Sequence, residues 1–459
     1  MLGLVDHAQL EQEMKVTQPP SEWFAKKEEP INLYKDLLES NTDGNQKLAL
    51  IIDGEGRKNV ITKEIAQKKS KFLAKKIIKL SSPKVDKQLR IFAVLSSSES
   101  SFYLMLASSF IDGNHCICFE DLSEKAIASR IDIFQPHIIF GKGKTIEKLA
   151  KARDKSTIED IPVLDIMEIL KIDKTPYSPI YENDFLPTEY ASEDVLFTLF
   201  TSGSTGLPKA IRHTANRFAR YAIATSKHFF GLNNDSIIFT ATDAGWINGH
   251  TYAFYGPLLC NSTIVISEDL SKLSNPNYLD SILINCRVTC FYSSVTLLRS
   301  IRQNVLLKDN YSSLNKSFSL ERIGSCGEPL ANDVGKWAIK YFQPERKSIV
   351  NTYFQTETGG VLTAPRDEEV FNCDYSNVGK PSNFIEIRMA KDLLSAKELE
   401  EEEIEPNELL VPNPWDGIFH SVISDRETKY FTDKGYYRLH DIGYYEDDGS
   451  LFIGGRSDD

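Results

Sequence analysis

Between Thr201 and Lys209 the chain groups four hydroxyl side chains, two glycines and one cation: Thr201, Ser202, Gly203, Ser204, Thr205, Gly206 and Lys209. Gly203 and Gly206 let backbone amides turn inward without a Cβ clash. Successive inward amides form an anion-binding nest. The hydroxyls add donors, and Lys209 adds one positive charge. Together they suit a polyphosphate. The Gly-Lys-Ser/Thr ending of the common nucleotide loop is absent. A flexible Ser/Gly linker is the competing reading. The context opposes it: the loop follows the apolar run Val195–Phe200 and leads through Pro208 and Lys209 into a helix-like segment. Cys116 and Cys118 are a second candidate for chemistry. They share a strand face, but with no second Cys/His pair nearby they read as buried thiols rather than zinc ligands.

The elements that must position this loop alternate. Leu48–Ile52 reads as a strand, closed by a turn at Asp53 and Gly54. Residues 61–80 predict a lysine-rich amphipathic helix with Ile65, Phe72, Leu73 and Ile77 inward. A strand at 90–95, a helix at 100–111, a strand at 115–119, a helix at 123–134 and a strand at 137–140 follow. This alternation implies a parallel sheet. Residues 156–193 are loop-rich and mark a boundary. A second αβ series runs from 195 to 351. Residues 384–455 carry short strand-like runs, turns and aromatics. The expected class is therefore α/β: an irregular leader (1–30), two αβ subdomains with mainly parallel sheets (31–190 and 191–380), and a smaller β-rich subdomain (381–455). The acidic run Glu400–Glu403 reads as a solvated insertion.

A chain of 459 residues is long enough for several subdomains. Its 53 Lys and Arg against 65 Asp and Glu leave a formal charge of −12. That balance argues against nucleic acid and anionic membrane as partners. No apolar run has the length of a membrane span, and Met1–Pro20 lacks the apolar core of a secretory signal. The seven scattered cysteines do not form a disulfide framework. These features together predict a cytoplasmic protein.

Four further blocks follow the loop in order: Ala244–Tyr252 continuing to Leu258, Gly324–Leu330, Asn351–Gly360, and Tyr437–Asp441 with Gly454–Asp459. With these the chain resembles the large N-terminal part of the adenylate-forming (AMP-binding) superfamily. The Gly-Trp-x-x-Gly-His and Gln-Thr-Glu-Thr-Gly-Gly forms are especially similar to acetyl- and propionyl-CoA synthetases. One departure is Ala210, where glycine is usual. The resemblance implies ATP-dependent activation of a carboxylic acid to acyl-AMP with release of pyrophosphate, then transfer to the thiol of CoA.

The same resemblance implies roles residue by residue. The loop from Thr201 to Lys209 would hold the β- and γ-phosphates. Thr356 would bond the α-phosphate, and Glu357 would hold Mg²⁺. Gly327, Glu328 and Pro329 would line the adenine slot, with Tyr353 stacked on the base and Asn351 and Thr352 on the purine edge. Asp441 would accept the ribose hydroxyls, and Arg456 would add a cation beside them. His440 reads as a surface histidine. Trp246, Ile247, Asn248, Gly249, Cys326 and Phe354 would enclose a short acyl chain, acetate to butanoate in size. Asn248 there suggests a polar substituent. Lys142 and Lys144 are candidates for the phosphates of CoA, against a solvated lysine turn.

The resemblance also implies a hinge at Asp458, within 456–459, leading to a C-terminal domain that this chain lacks. The expectation is a fragment that binds ATP or acyl-AMP but turns over poorly. Two other readings stay open: an adenylation module that donates to a carrier-protein thiol, and an inactive nucleotide-binding relative. Retention of Lys209, Thr356, Glu357, Asp441 and Arg456 favours an active enzyme.

Overall fold

The computed structural model describes residues 14–24, 29–38, 46–81, 88–158, 160–171, 185–201, 207–307, 317–365, 374–425 and 429–457. Ser202, Gly203, Ser204, Thr205, Gly206 and Asp458 lie outside these residues. In chain order the strands are β1 (Lys15–Thr17), β2 (Lys47–Ile52), β3 (Lys58–Thr62), β4 (Arg90–Val94), β5 (Asn114–Cys118), β6 (Ile138–Gly141) and β7 (Val163–Asp165). Then come β8 (Val195–Thr201), β9 (Lys209–Thr214), β10 (Ile237–Ala241), β11 (Thr263–Ser267), β12 (Cys290–Ser294), β13 (Arg322–Cys326) and β14 (Ile349–Asn351). The last are β15 (Thr363–Ala364), β16 (Lys380–Pro381), β17 (Arg388–Met389), β18 (Glu408–Val411), β19 (Ser421–Ser424), β20 (Tyr437–Tyr445) and β21 (Leu451–Arg456).

The first sheet has the order β1-β19-β9-β8-β5-β4-β6-β7, and the second β14-β13-β12-β10-β11-β2-β3. From β8 to β7 and from β14 to β2 every pairing is parallel. Such strands are covered on both faces, which is why Ile91–Val94 and Asn114–Cys118 are buried without alternation. The helix Glu99–Phe110 starts in a capping box between Ser98 and Ser101 and is buried all round. It shares one core with Ile91 and Phe197 of the first sheet and Ala49 and Ile264 of the second. Its serines stay satisfied: the Ser108 hydroxyl donates to Gly113 O at 2.8 Å and that of Ser109 to Met105 O at 2.9 Å.

The α/β class with a smaller antiparallel sheet is what the alternation implies, but the sheets do not follow the linear segments 31–190 and 191–380. β2 and β3 join the second sheet, whereas β8 and β9 join the first. Pairing partners are chosen by packing, and nothing local in a strand names its sheet. The leader is also less irregular than expected. Lys15–Thr17 pairs with β19, and Trp23 packs edge-on against Trp415 and Phe431. Helix Lys63–Leu80 buries Ala66, Ser70, Leu73 and Ile77. That stripe leaves Ile65 40% exposed, contrary to the inward placement expected of it. Cys116 and Cys118 are buried thiols with sulfurs 3.8 Å apart.

The small sheet runs β17-β18-β20-β21, all antiparallel. At its centre Arg438 grips Glu408 with two bonds of 2.8 and 2.9 Å. The acidic run is largely solvated, as expected, with Glu400, Glu401 and Glu403 exposed, while the segment around it is ordered. Ser395 and Glu398 cap a helix at Ala396–Glu401, Glu398 pairs with Lys434 at 2.9 Å, and Leu394 and Ile404 pack on Leu410. None of the described helices is long and apolar enough to cross a membrane.

Candidate active site

Open parallel sheets bind ligands beyond the carboxyl ends of their strands. Parts of three anticipated blocks, and one segment not anticipated, Val295–Arg299, lie there on the second sheet. Thr242–Trp246 follows β10, Val295–Arg299 follows β12, Gly327–Pro329 follows β13, and Thr352–Glu357 follows β14. The first sheet contributes Thr201 and Lys209, paired across β8 and β9. The small sheet contributes Asp441 and Arg456, paired across β20 and β21. Residues far apart in the chain are thus drawn together from three sheets.

Lys209 directs its ammonium over the Tyr430 ring, 5.5 Å from the centroid. The Tyr430 hydroxyl donates to Glu357 Oε1 at 3.3 Å. Burial pushes the Glu357 carboxyl above its ordinary 4.5, opposed by its own amide, by Lys209, by Tyr430 and by Arg456. The backbone around it is pinned on both sides. His213 Nε2 donates to Thr356 O at 2.8 Å, and the Phe419 amide donates to Glu357 O at 3.0 Å. Gly359 follows at φ +69°, where a Cβ would lie 2.3 Å from Gly417 O. Among the described residues no group of three or more His, Cys, Asp or Glu could cage a metal. A lone partly buried carboxylate instead suits a hard cation that takes its other oxygens from phosphates and water.

The Asp441 carboxylate is a second node. Tyr353 Oη donates to Oδ2 at 2.5 Å and Gln355 Nε2 donates to the same oxygen at 2.7 Å. Arg456 Nη1 stands 3.7 Å from Oδ1. Gln355 also bonds Leu439 O at 2.6 Å and receives the Tyr437 hydroxyl at 3.3 Å. Tyr353 is thus tied to the anticipated ribose acceptor by its hydroxyl. His440 is not a surface group: it has φ +54° and its Nδ1 lies 3.7 Å from Glu408 Oε1.

The anticipated adenine slot is braced. Gly327 has φ +88°, which frees the chain to turn after β13. Glu328 accepts from the Thr296 hydroxyl and from Arg299 at 2.8 Å, and Pro329 O accepts from Arg299 at 3.3 Å. Asn351 spends its amide on the carbonyls of Tyr375, Ser376 and Asn377, at 3.3, 3.3 and 3.1 Å. Its Oδ1 accepts from Ser325 at 3.0 Å. The Thr352 hydroxyl donates to Ser325 O at 2.8 Å and meets Tyr292 at 2.6 Å. Asn351 and Thr352 therefore hold strand ends and loops, rather than presenting free edges.

The anticipated acyl wall starts where Trp246, 54% exposed, packs on Phe119 with centroids 5.0 Å apart. Ile247, Asn248 and Gly249 are buried in a turn of helix. A Cβ on Gly249 would lie 2.4 Å from Asp243 O, so this turn sits directly on the chain leaving β10. The helix continues through a wider turn at Thr251–Tyr255, of the kind that inserts an extra residue. Thr251 donates to Gly359 O at 2.8 Å, and the Val361 amide donates to the Tyr252 hydroxyl at 2.7 Å. These bonds stitch the acyl wall to the segment that carries Glu357. Phe354 meets Tyr252 edge-on at 6.1 Å. Cys326 Sγ faces Ser293 O at 3.6 Å, and burial pushes its thiol up to about 12.

None of the contacts described for either node involves Lys142 or Lys144. They flank Gly143 in the turn between β6 and helix Thr145–Asp154, with the Gly143 amide bound to Asp165 at 2.9 Å. Four residues not anticipated complete the site: His213, Tyr252, Gln355 and Tyr430. Tyr252 and Gln355 lie inside quoted blocks, so their neighbours announce them. His213 and Tyr430 stand alone in sequence, and no local signal marks them.

A family model described as AMP-binding enzyme matches residues 49–413. An acetyl-coenzyme A synthetase of Cryptosporidium parvum is 31% identical over 393 residues, 78% of this chain and 54% of that protein. Acetyl-coenzyme A synthetase 1 of Debaryomyces hansenii is 32% identical over 382 residues, 77% and 55% respectively. Among solved structures, an acyl-CoA synthetase of Brucella canis superposes with a TM-score of 0.75 at 20% identity, covering 95% of this chain and 76% of that one. An ATP-bound RpMatB-BxBclM chimera gives 0.74 at 16% identity, with 93% and 79% covered. The fold is thus shared with these structures. The chain spans about half the length of the curated relatives it matches.

Proposed function

Because this chain belongs to the AMP-binding enzyme family, we propose that it forms the nucleotide- and acid-binding part of a ligase that activates a short carboxylic acid, acetate- or propionate-like, with ATP. The acid becomes acyl-AMP, pyrophosphate leaves, and in the longer protein the acyl group passes to CoA. The observation that carries this reading is the joining of two nodes through one short segment. Glu357 meets Tyr430 and Lys209 at one end, while Gln355 and Tyr353 meet Asp441 and Arg456 at the other. The first node suits the phosphates and the second the ribose.

The reaction brings a carboxylate to a phosphate, so the protein's first task is to offset like charges. Lys209 supplies a cation held over an aromatic face, and Arg456 supplies another near Asp441. Asp441 suits ribose hydroxyls because Tyr353 and Gln355 orient its carboxylate. Thr356 is presented to the α-phosphate by a backbone that His213 fixes. Mg²⁺, when bound at Glu357, would neutralise phosphate charge and orient the leaving pyrophosphate. A cytoplasmic location and the absence of nucleic-acid and membrane partners remain part of the proposal, supported by the acidic charge balance.

Acid-dependent exchange of labelled pyrophosphate into ATP tests the proposal. Acetate, propionate and butanoate are expected to stimulate exchange. Stimulation by none of them, or only by long acids such as dodecanoate, would overturn it.

A further inference from the structure

Asn248 is 6% exposed and sits at the end of β10's exit turn, facing the carboxyl end of β13. Its Nδ2 donates to Cys326 Sγ at 3.4 Å. The Cys326 thiol in turn points to Ser293 O at 3.6 Å, so the sulfur receives the amide and donates onward. This chain fixes which way the amide faces. Its carbonyl, Oδ1, is then a buried acceptor without a partner among the described residues. Buried acceptors in folded proteins are rarely left so, and one that is unsatisfied calls for a donor. No side chain among the described residues donates to it. The groups its amide meets, the Cys326 thiol and through it the Ser293 carbonyl, carry no charge, which favours a neutral hydroxyl over an ammonium.

The position of this acceptor matters as much as its vacancy. Residues 251–252 are bonded to Gly359 and Val361, immediately after Glu357. Asn248 therefore stands on the helical stretch bonded to the segment that carries Glu357, which the adenylation reading makes a wall of the acyl site. We infer that the acid taken by this site is a short hydroxy acid, with its hydroxyl on the second or third carbon, and that Asn248 Oδ1 accepts that hydroxyl. This rests on the adenylation reading and narrows its substrate. A site built around a hydrogen bond rejects the analogue that lacks it, because its own polar group is then left unpaired.

Binding of stable sulfamoyl-adenosine mimics of the acyl-AMP to the 459-residue chain, measured by calorimetry, tests the inference. The acyl groups compared are acetyl, propionyl, hydroxyacetyl, 2- and 3-hydroxypropanoyl, methoxyacetyl and alanyl. At least one hydroxyacyl mimic is expected to bind ~10-fold or more tightly than its alkyl counterpart, with methoxyacetyl losing the gain of hydroxyacetyl if that is the one. Asn248→Leu is expected to abolish the preference while AMP binding persists. The methyl ether needs no variant, so a misfolded Asn248→Leu leaves the test intact. Equal binding of alkyl and hydroxyacyl mimics would overturn the inference and spare the adenylation reading. Tightest binding of the alanyl mimic would overturn it in favour of an ammonium. Binding of no mimic would overturn both.

Discussion

Glu357 is where residue-scale physics is most exposed. A carboxylate proposed to hold a cation, and so to act ionised, is pushed toward its neutral form by burial, while its own amide, Lys209, Tyr430 and Arg456 push back. The acid limb of pyrophosphate exchange should therefore lie above the ordinary 4.5 of a glutamate, with activity lost as pH falls through it. Tyr430→Phe removes a bond that favours the carboxylate, so the pH profile should shift that limb further upward. Lys209→Gln should lower the exchange rate roughly 100-fold or more, since it removes the fixed charge proposed to offset developing negative charge. Tyr353→Phe frees Asp441 from one charge-assisted bond. Its signature is expected in KM for ATP, raised roughly 10-fold, more than in the rate at saturation.

The helical stretch Ile247–Leu259 and strands β5 and β9 enclose a layer of three buried histidines. His115 and His250 stack with centroids 5.2 Å apart, and Phe197 lies 4.4 Å from His250 and 5.2 Å from His213. Burial drives His250 down to about 4 and His213 to about 3, and holds His115 well below its ordinary 6.5. All three are neutral in the fold, while the unfolded chain takes up protons near 6.5. Their stabilisation is therefore complete above pH 6.5 and fades as pH falls toward about 4, then 3. His250 and His213 each account for on the order of a few kcal/mol of that loss, and His115 adds to it in the same direction. Urea midpoints measured across this range should decline, and His250→Phe should flatten the decline. Because His213 bonds Thr356 and the helix carries Asn248, acid loosening should reach the site as well.

At the scale of the molecule, the three sheets meet at the site, so the small sheet must stay anchored for Asp441 and Arg456 to be in place. The buried Glu408–Arg438 pair is its central polar contact, with Glu408 only 1% exposed. Removing one partner strands the other charge. Glu408→Ala should cost about 3–5 kcal/mol in urea unfolding. The double replacement Glu408→Leu with Arg438→Met should cost much less, because no lone charge remains. Should the double variant lose as much as the single one, the pair is not the anchor.

How much of this was legible beforehand differs by kind of residue. The α/β class and the alternation of strands and helices in 90–141 follow from local pattern, because periodicity and caps act within a few residues. The blocks that hold Lys209, Glu357 and Asp441 were recognisable as motifs, since the phosphate and ribose chemistry proposed for them needs particular groups at short spacings. Assembly of sheets was not legible: β2 and β8 are both short apolar runs, yet each pairs in the sheet of the other's segment. Burial polarity was only partly legible, as Ile65 and His440 show, each on the side opposite to its expected one. Tyr430 and His213 reach Glu357 and Thr356 across long stretches of chain. Their roles arise from long-range packing, which carries no local code. The sequence by itself determined which chemical groups are available and in which elements they stand. Tertiary structure alone decided which of them meet, because desolvation and pairing depend on neighbours that only the folded chain supplies.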